Sequence, residues 1–365
     1  MKAEFPTEYK QIISRLQNIE PVKYAATRNF VDGDVTYLSP YISRGVISTN
    51  QVKAEVLKKY PFSKIYKFIQ ELAWREYWQR VWQNKGDLLF TDLKHPQPDV
   101  AHREMIRGID DAATTIGAVD EHINNLYQTG YMHNHVRMYV ASLACNNGKA
   151  HWLEPAKWMY YHLLDADPAS NHLSWQWVAG AFSGKKYYCN QENINKYTGS
   201  NQRNSFLDKE YAAVETMPVP AALTDTFLPE WKTELPVTAK PTIDKGVPSL
   251  IYNAYNLDPL WRRGENANRI LLLEPSYFAK FPCSEKVIGF IMALSKNIDG
   301  VQVFTGEITE LFSSTDEVIS KEHPSTMHYM GLQDSRDWMF PQVTGYYPSF
   351  SAFWKKCEKS LPYNG

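Results

Sequence analysis

Residues 163–180, LLDADPASNHLSWQWVAG, set two aspartates, an asparagine and two tryptophans among residues of core type. Asp167 before Pro168 reads as an N-cap followed by the first position of a helix. The amides and dipole at such a helix start favour an anion or a ring edge bearing acceptor atoms. Asn171 lies one turn in, within reach of whatever Asp167 reaches. Trp175 and Trp177 sit roughly 200° apart around the helix and serve different surfaces.

Two further stretches have the same mixed character. In FSKIYKFIQELAWREYWQRVWQN, residues 62–84, Glu71, Trp74, Arg75 and Trp78 fall at i, i+3, i+4 and i+7 on one helix face. That pattern is either a salt bridge under aromatic cover or a cleft wall. In a cleft, indoles stack on flat rings while charges orient a base or phosphate. In TGYMHNHVRMYVASLA, residues 129–144, Asn134, Arg137, Met138 and Ala141 share a face, with His133 beside Arg137. A polar stripe on an otherwise apolar helix needs partners, and the partner expected for Arg137 is a carboxylate of the 163–180 stretch. His133 and His135 point to different faces with no third ligand in register, so no metal is expected.

The elements that must position these residues are helical over 1–215. Ser39 and Pro40 read as N-cap and first helical position, and Ser48 with Gln51 as a capping box. Further helices are expected over about 62–84, 117–128, 131–146 and 155–164, with a polar loop over about 86–103. Residues 216–245 form a proline-rich connector, with six prolines over 216–248. From 246 to 365 the pattern becomes α/β. SLIYNAY, RILLLE and VQVFTG read as strands, and SEKVIGFIMALSKN and EITELF as helices, in the rhythm of a small parallel sheet with right-handed crossovers. No GxGxxG or P-loop string occurs.

Composition narrows the function classes. The 365 residues are 44% hydrophobic and 14% aromatic, with 11 Trp and 23 Tyr. No apolar run is long enough for a membrane-spanning helix, and the charged, Pro-broken start is unlike a secretory signal; a cytoplasmic location is the default expectation. Cys145, Cys189, Cys283 and Cys357 lie far apart with no CxxC pair, so reduced, buried thiols are expected. The net charge of −1 hides a weak polarity. Residues 1–210 hold 25 Lys and Arg against 22 Asp and Glu, a net +3, and the remainder is net −4. One face meeting a polyanion is compatible with this distribution.

Together YLSPYISRGVIS, FIQELAWREYW, TGYMHNHVRM and DADPASNHLSWQW resemble the FAD-binding domain of the DNA photolyase/cryptochrome family, over about residues 20–200. The resemblance implies an all-helical FAD-binding domain followed by a small Rossmann-like α/β domain. It implies FAD contacts at Tyr24, at the segment Val35, Thr36, Tyr37, Leu38 and Ser39, and at Arg75. Arg137 and Asp165 match an ion pair beside the flavin, Asp167 an acid at the flavin and ribose, and Asn171 the residue facing flavin N5. Glu71, Trp74, Trp78, Asn134, His135, Met138 and Trp177 match the lesion pocket, and Arg28 a DNA-backbone contact. Trp175 and Trp152 match the inner members of a tryptophan chain that photoreduces the flavin.

The sequence departs from the family pattern in three places. The family carries its α/β domain before the helical one. Here NRILLLEPSYFAKFPCSEKVIGFIMALSKNIDGVQVFTGEITELF resembles part of that domain at the other end, which implies a circular permutation and a trimmed domain. An antenna chromophore is left open. No tryptophan occupies the outer position of the electron chain, for which Tyr160 and Trp158 are the substitutes considered. The FAD segment is one residue short, with Val35 where a hydroxyl is usual. The function implied is a FAD-dependent, blue-light-driven photolyase, a lyase that splits cyclobutane pyrimidine dimers in DNA. The alternative is a cryptochrome-like photoreceptor without repair, acting through a signalling partner.

Overall fold

The structure, a computed structural model, describes residues 4–311 and 317–361. The chain forms two compact units. The first holds chiefly Val22–Val35 and Lys85–Glu230, the second chiefly Phe5–Pro21, Thr36–Asn84 and the chain from Trp231 onward. Ser39–Ser43, Thr49–Leu57 and most of Phe62–Lys85 pack in the same unit as the chain from Trp231 onward. The physical reason is polar as well as apolar. Buried Glu76 accepts the backbone N–H groups of Met339 (2.7 Å) and Phe340 (3.0 Å), and Lys53 Nζ donates to the Met339 carbonyl at 2.8 Å.

The first unit is helical. Its main helices are Gly117–Thr129, Asn134–Ser142, Leu153–His162, Pro168–Ala179 and Gln191–Thr198. Asp167 caps Pro168–Ala179 as its sequence position implies, accepting from the Ser170 N–H at 2.8 Å. The helix expected from 131 begins three residues later, because the His133 ring caps it by accepting from the His135 N–H at 3.2 Å. Gly130 ends the preceding helix at φ +73°, and a Cβ there would fall 2.6 Å from the Leu164 side chain. Only glycine supplies both the left-handed turn and the room. Trp152, Trp158, Leu173 and Trp175 fill the core of this unit.

In the second unit Ser48 and Gln51 form the reciprocal capping box read from the sequence. Ser39 is not an N-cap. The N-cap position of the short Ser39–Ser43 helix is Leu38, which makes no side-chain cap bond, and Tyr37 before it is left-handed at φ +53°. The 24-residue helix Phe62–Lys85 follows.

The sheet has five strands, β1 (Ser249–Tyr252), β2 (Asn268–Leu273), β3 (Val301–Thr305), β4 (Val318–Lys321) and β5 (Leu332–Asp334), in the order β3-β2-β1-β4-β5. All neighbours are parallel, with Ile251 opposite Ile270 and Leu272 opposite Phe304. The helix Glu285–Ser295 makes the β2–β3 crossover. The expected helix at EITELF is a single 3₁₀ turn, Ile308–Glu310, and Phe312 lies outside the described residues. Part of the proline-rich connector lines the open edge of β3. Thr242 and Gln302 exchange two hydrogen bonds at 2.8 Å, while Thr305 bonds to Thr238 (2.8 Å) and Pro236 (2.7 Å). Proline lacks the N–H that would extend a ladder, so it suits a strand edge that must not recruit another chain. All four cysteines are buried and free, and no described helix is long and apolar enough to cross a membrane.

Candidate functional site

Asp165 lies two residues before the N-cap Asp167 of Pro168–Ala179 and is only 3% exposed at its side chain. Burying such a carboxylate requires a cation, and Arg137 Nη2 meets its Oδ2 at 2.9 Å. A second anchor, Arg137 Nε to the Met132 carbonyl at 2.8 Å, fixes the guanidinium. The 129–144 and 163–180 stretches thus meet through the ion pair their composition demands. Asn171 donates its side-chain N–H to the Ala156 carbonyl at 2.8 Å. That bond settles which end of the carboxamide is which, and leaves its oxygen as an acceptor for a ring N–H. Ser170 Oγ is buried without a partner among the described residues. One acceptor amide, one oriented cation and an unfilled hydroxyl around a single helix start suit the polar edge of an isoalloxazine ring, so these residues fit FAD.

Of the remaining expected cofactor contacts, Tyr24 and Val35 lie half-buried in the first unit. Thr36, Tyr37, Leu38, Ser39 and Arg75 belong to the second. Thr36 Oγ1 accepts from the Leu38 N–H at 3.4 Å, and Arg75 donates to Ser43 Oγ at 2.7 Å. Leu38 is a core side chain, so any cofactor contact it makes must use its backbone. Tyr37 holds a left-handed conformation that is costly for a residue with a Cβ, and such strain clusters at functional loops.

The expected lesion-pocket residues divide in the same way. In the second unit, Glu71 pairs with Lys67 at 2.9 Å. Trp74 stacks flat on Phe350, 3.8 Å between centroids and 9° between planes. Trp78 is 6% exposed, packed on Trp74 and Tyr77, and is a core residue rather than an open wall. In the first unit, Asn134 is exposed and Met138 half-buried. His135 stacks on Tyr197 at 4.5 Å, and burial lowers its pKa. Trp177 is 36% exposed while Trp175 is buried, so the two indoles do face different ways. Arg28 is half-buried, with Nη1 donating to the Ala25 carbonyl at 2.7 Å.

Trp152 is fully buried, and its indole Nε1 donates to Asp92 Oδ1 at 2.7 Å. His151 Nε2 lies 3.1 Å from the same oxygen, and the Gln97 N–H donates to Oδ2 at 2.9 Å. Burial pushes the Asp92 carboxyl up, but the bonds from Gln97, Trp152 and His151 outweigh it and hold the pKa below the usual carboxylate range. Neither substitute for the outer tryptophan reaches the surface. Trp158 is buried with its indole on Tyr127 Oη at 3.0 Å, and Tyr160 packs beside His172.

Sequence reasoning missed Asp92, Glu76, His172 and Phe350. The Ser349 cap and the Phe350, Phe353 and Trp354 spacing mark the Phe350–Cys357 helix, but no spacing rule says that Phe350 meets Trp74. Asp92 sits in a stretch legible only as a polar loop.

Residues 68–240 match the family model described as the FAD binding domain of DNA photolyase. The deoxyribodipyrimidine photo-lyase of Agrobacterium fabrum is 32% identical over 154 residues, 40% of this chain and 31% of that protein. Cryptochrome DASH of Ostreococcus tauri is 29% identical over 189 residues, 48% of this chain and 33% of that protein. A Synechocystis cryptochrome structure aligns at 25% identity with a TM-score of 0.48, over 54% of this chain and 44% of its own. The matched segment spans about a third of the length of these curated relatives. Residues 68–240, which hold Arg137, Asp165, Asp167 and Asn171, are thus similar to the FAD binding domain of DNA photolyase, and FAD is the cofactor that this similarity supports.

Proposed function

We propose that this flavoprotein is a blue-light-driven photolyase that splits cyclobutane pyrimidine dimers in DNA. The observation that carries the reading is the Arg137–Asp165 pair set against Asn171, whose oriented amide offers an acceptor where a reduced flavin presents an N–H. FAD supplies light absorption and the electron lent to the dimer; every other task falls to side chains. Arg137 and Asp165 fix the local charge beside the ring, and Asp167 holds the helix start rigid. Trp175 and Trp152 offer a path for electrons into the buried site. In the second unit, Glu71 is assigned to hydrogen-bond the dimer and Trp74 to stack on a pyrimidine, with Trp78 supporting Trp74 from the core. In the first unit, Trp177, Asn134, His135 and Met138 are assigned to the extruded bases and Arg28 to the DNA backbone. In domain terms, residues 1–215 are the FAD-binding part, 216–245 the connector and 246–365 a permuted α/β domain. The β3-β2-β1-β4-β5 order of parallel strands supports that last assignment.

The test is direct. The protein is loaded with FAD, reduced, and illuminated with an oligonucleotide carrying a thymine dimer. Return of normal thymine is expected, with loss in Glu71→Ala and Trp74→Ala and binding that weakens with salt. No restored thymine sinks the repair reading. One observation favours a second reading, a photoreceptor without repair: Phe350 covers one face of Trp74, and Lys67 occupies Glu71. That reading requires light-driven flavin reduction with a conformational change and no dimer splitting.

A further inference from the structure

In the electron path proposed above Trp152 is the last tryptophan, and neither substitute considered for an outer member, Trp158 or Tyr160, reaches the surface. A positive charge left on a fully buried indole is poorly solvated and drains back to wherever the electron went. Its indole N–H instead meets a carboxylate at 2.7 Å. We infer that Asp92 is the proton acceptor of oxidised Trp152, so that proton loss replaces the missing outer tryptophan in trapping the separated charge. The inference rests on the reading of Trp175 and Trp152 as an electron path.

The step balances. One electron leaves Trp152 for oxidised Trp175, whose own electron has gone to the photoexcited oxidised flavin. The Nε1–H bond of Trp152 then breaks and an O–H bond forms on Asp92 Oδ1. Trp152 is left as a neutral radical and Asp92 as a neutral carboxylic acid, so neither member of the pair carries a charge. An indole radical cation is far more acidic than indole, and a carboxylate already in hydrogen-bond contact needs no rearrangement to take the proton. Asp92 arrives ionised, because its three donors hold its pKa low. Its side chain is 23% exposed, so the proton has a way out to water, whereas Trp152 has none. His151, on the same oxygen, is kept toward its neutral form chiefly by burial and adds no competing charge.

A purely structural role predicts something different. Asp92 also holds the Gln97 N–H, and Gln97 Oε1 accepts from the Trp152 backbone N–H at 2.8 Å, so the carboxylate helps tie the 86–103 loop to the Trp152 turn. An asparagine could keep acceptor contacts there but could not take the proton. The experiment is transient absorption on the FAD-loaded protein, in light and heavy water, with light-minus-dark infrared spectra. The wild type is expected to give the neutral Trp152 radical with a solvent isotope effect, and a new protonated-carboxyl band. Asp92→Asn is expected to slow deprotonation by about 10²-fold, the low end of what a positioned proton acceptor contributes, and to lose that band; Asp92→Glu restores both. A wild-type radical that stays cationic, or a carboxyl band unchanged in Asp92→Asn, overturns the assignment whether or not the variants fold well. Trp152→Phe separates the two layers. If it photoreduces as well as wild type, the electron-path reading falls and the inference with it. If it blocks photoreduction while Asp92→Asn matches wild type, only the role of Asp92 falls.

Discussion

His172 gives the sharpest test of the packing around the helix Pro168–Ala179. It lies in the second turn of Pro168–Ala179, wholly inside the first unit, with Trp152, Tyr160 and Phe90 around its ring. Nδ1 donates to the Pro168 carbonyl at 2.9 Å, and burial lowers the pKa from 6.5 to about 4. The unfolded chain therefore takes up a proton at pH values where the folded ring stays neutral. Stability is fully present above pH 6.5 and falls as pH drops toward about 4, at up to about 1.4 kcal/mol per pH unit and about 3 kcal/mol in all. Urea unfolding followed by tryptophan fluorescence, at a series of pH values across that window, measures the slope. His172→Gln keeps a donor for Pro168 but cannot titrate, so its curve should be flatter than wild type by one proton. His133, also lowered to about 4, contributes a second proton in both proteins and cancels in the difference. Parallel curves for wild type and variant would refute the claim that burial keeps His172 neutral.

Three further outcomes follow from other parts of the molecule. Phe350→Ala removes the ring stacked on Trp74 and should cost about 3 kcal/mol by thermal unfolding. Under the repair reading it also tightens binding of a dimer-containing oligonucleotide in a gel-shift assay, whereas under the receptor reading binding stays absent in both proteins. Asp165→Asn replaces a charged hydrogen bond to Arg137 by a neutral one, losing about 1.5–3 kcal/mol, and should purify with less FAD per chain by flavin absorbance. Gly331→Ala should lower the Tm clearly, because φ is +96° and the new Cβ would meet the Val318 carbonyl oxygen at 2.2 Å. An unchanged melting curve would contradict the close approach of those two backbones.

Local signals were enough for much of the architecture. Asp167–Pro168 and Ser48–Gln51 announce helix starts because capping is a contact between residues two or three apart. SLIYNAY, RILLLE and VQVFTG announce strands, whereas β4 and β5 went unread, β5 being only three residues long and largely exposed. The composition of 129–144 and 163–180 foretold that Arg137 pairs with a carboxylate of the second stretch, without choosing between Asp165 and Asp167, since an arginine and an acid placed in apolar helices have few other ways to be buried.

What only the tertiary structure decided is the partner of each side chain brought from far along the chain. Sequence put Trp74 and Trp78 on one helix face; packing made Trp78 core and set Trp74 against Phe350, 276 positions later. Glu76 carries no mark of burial in the sequence, and packing buries it on the Met339 and Phe340 amides. Asp92 reads as loop polarity and is instead the carboxylate on the Trp152 indole. Periodicity and capping are short-range, so the sequence carries them openly. Which distant donor satisfies a buried acceptor depends on how the elements pack, and one chain without its fold does not display it.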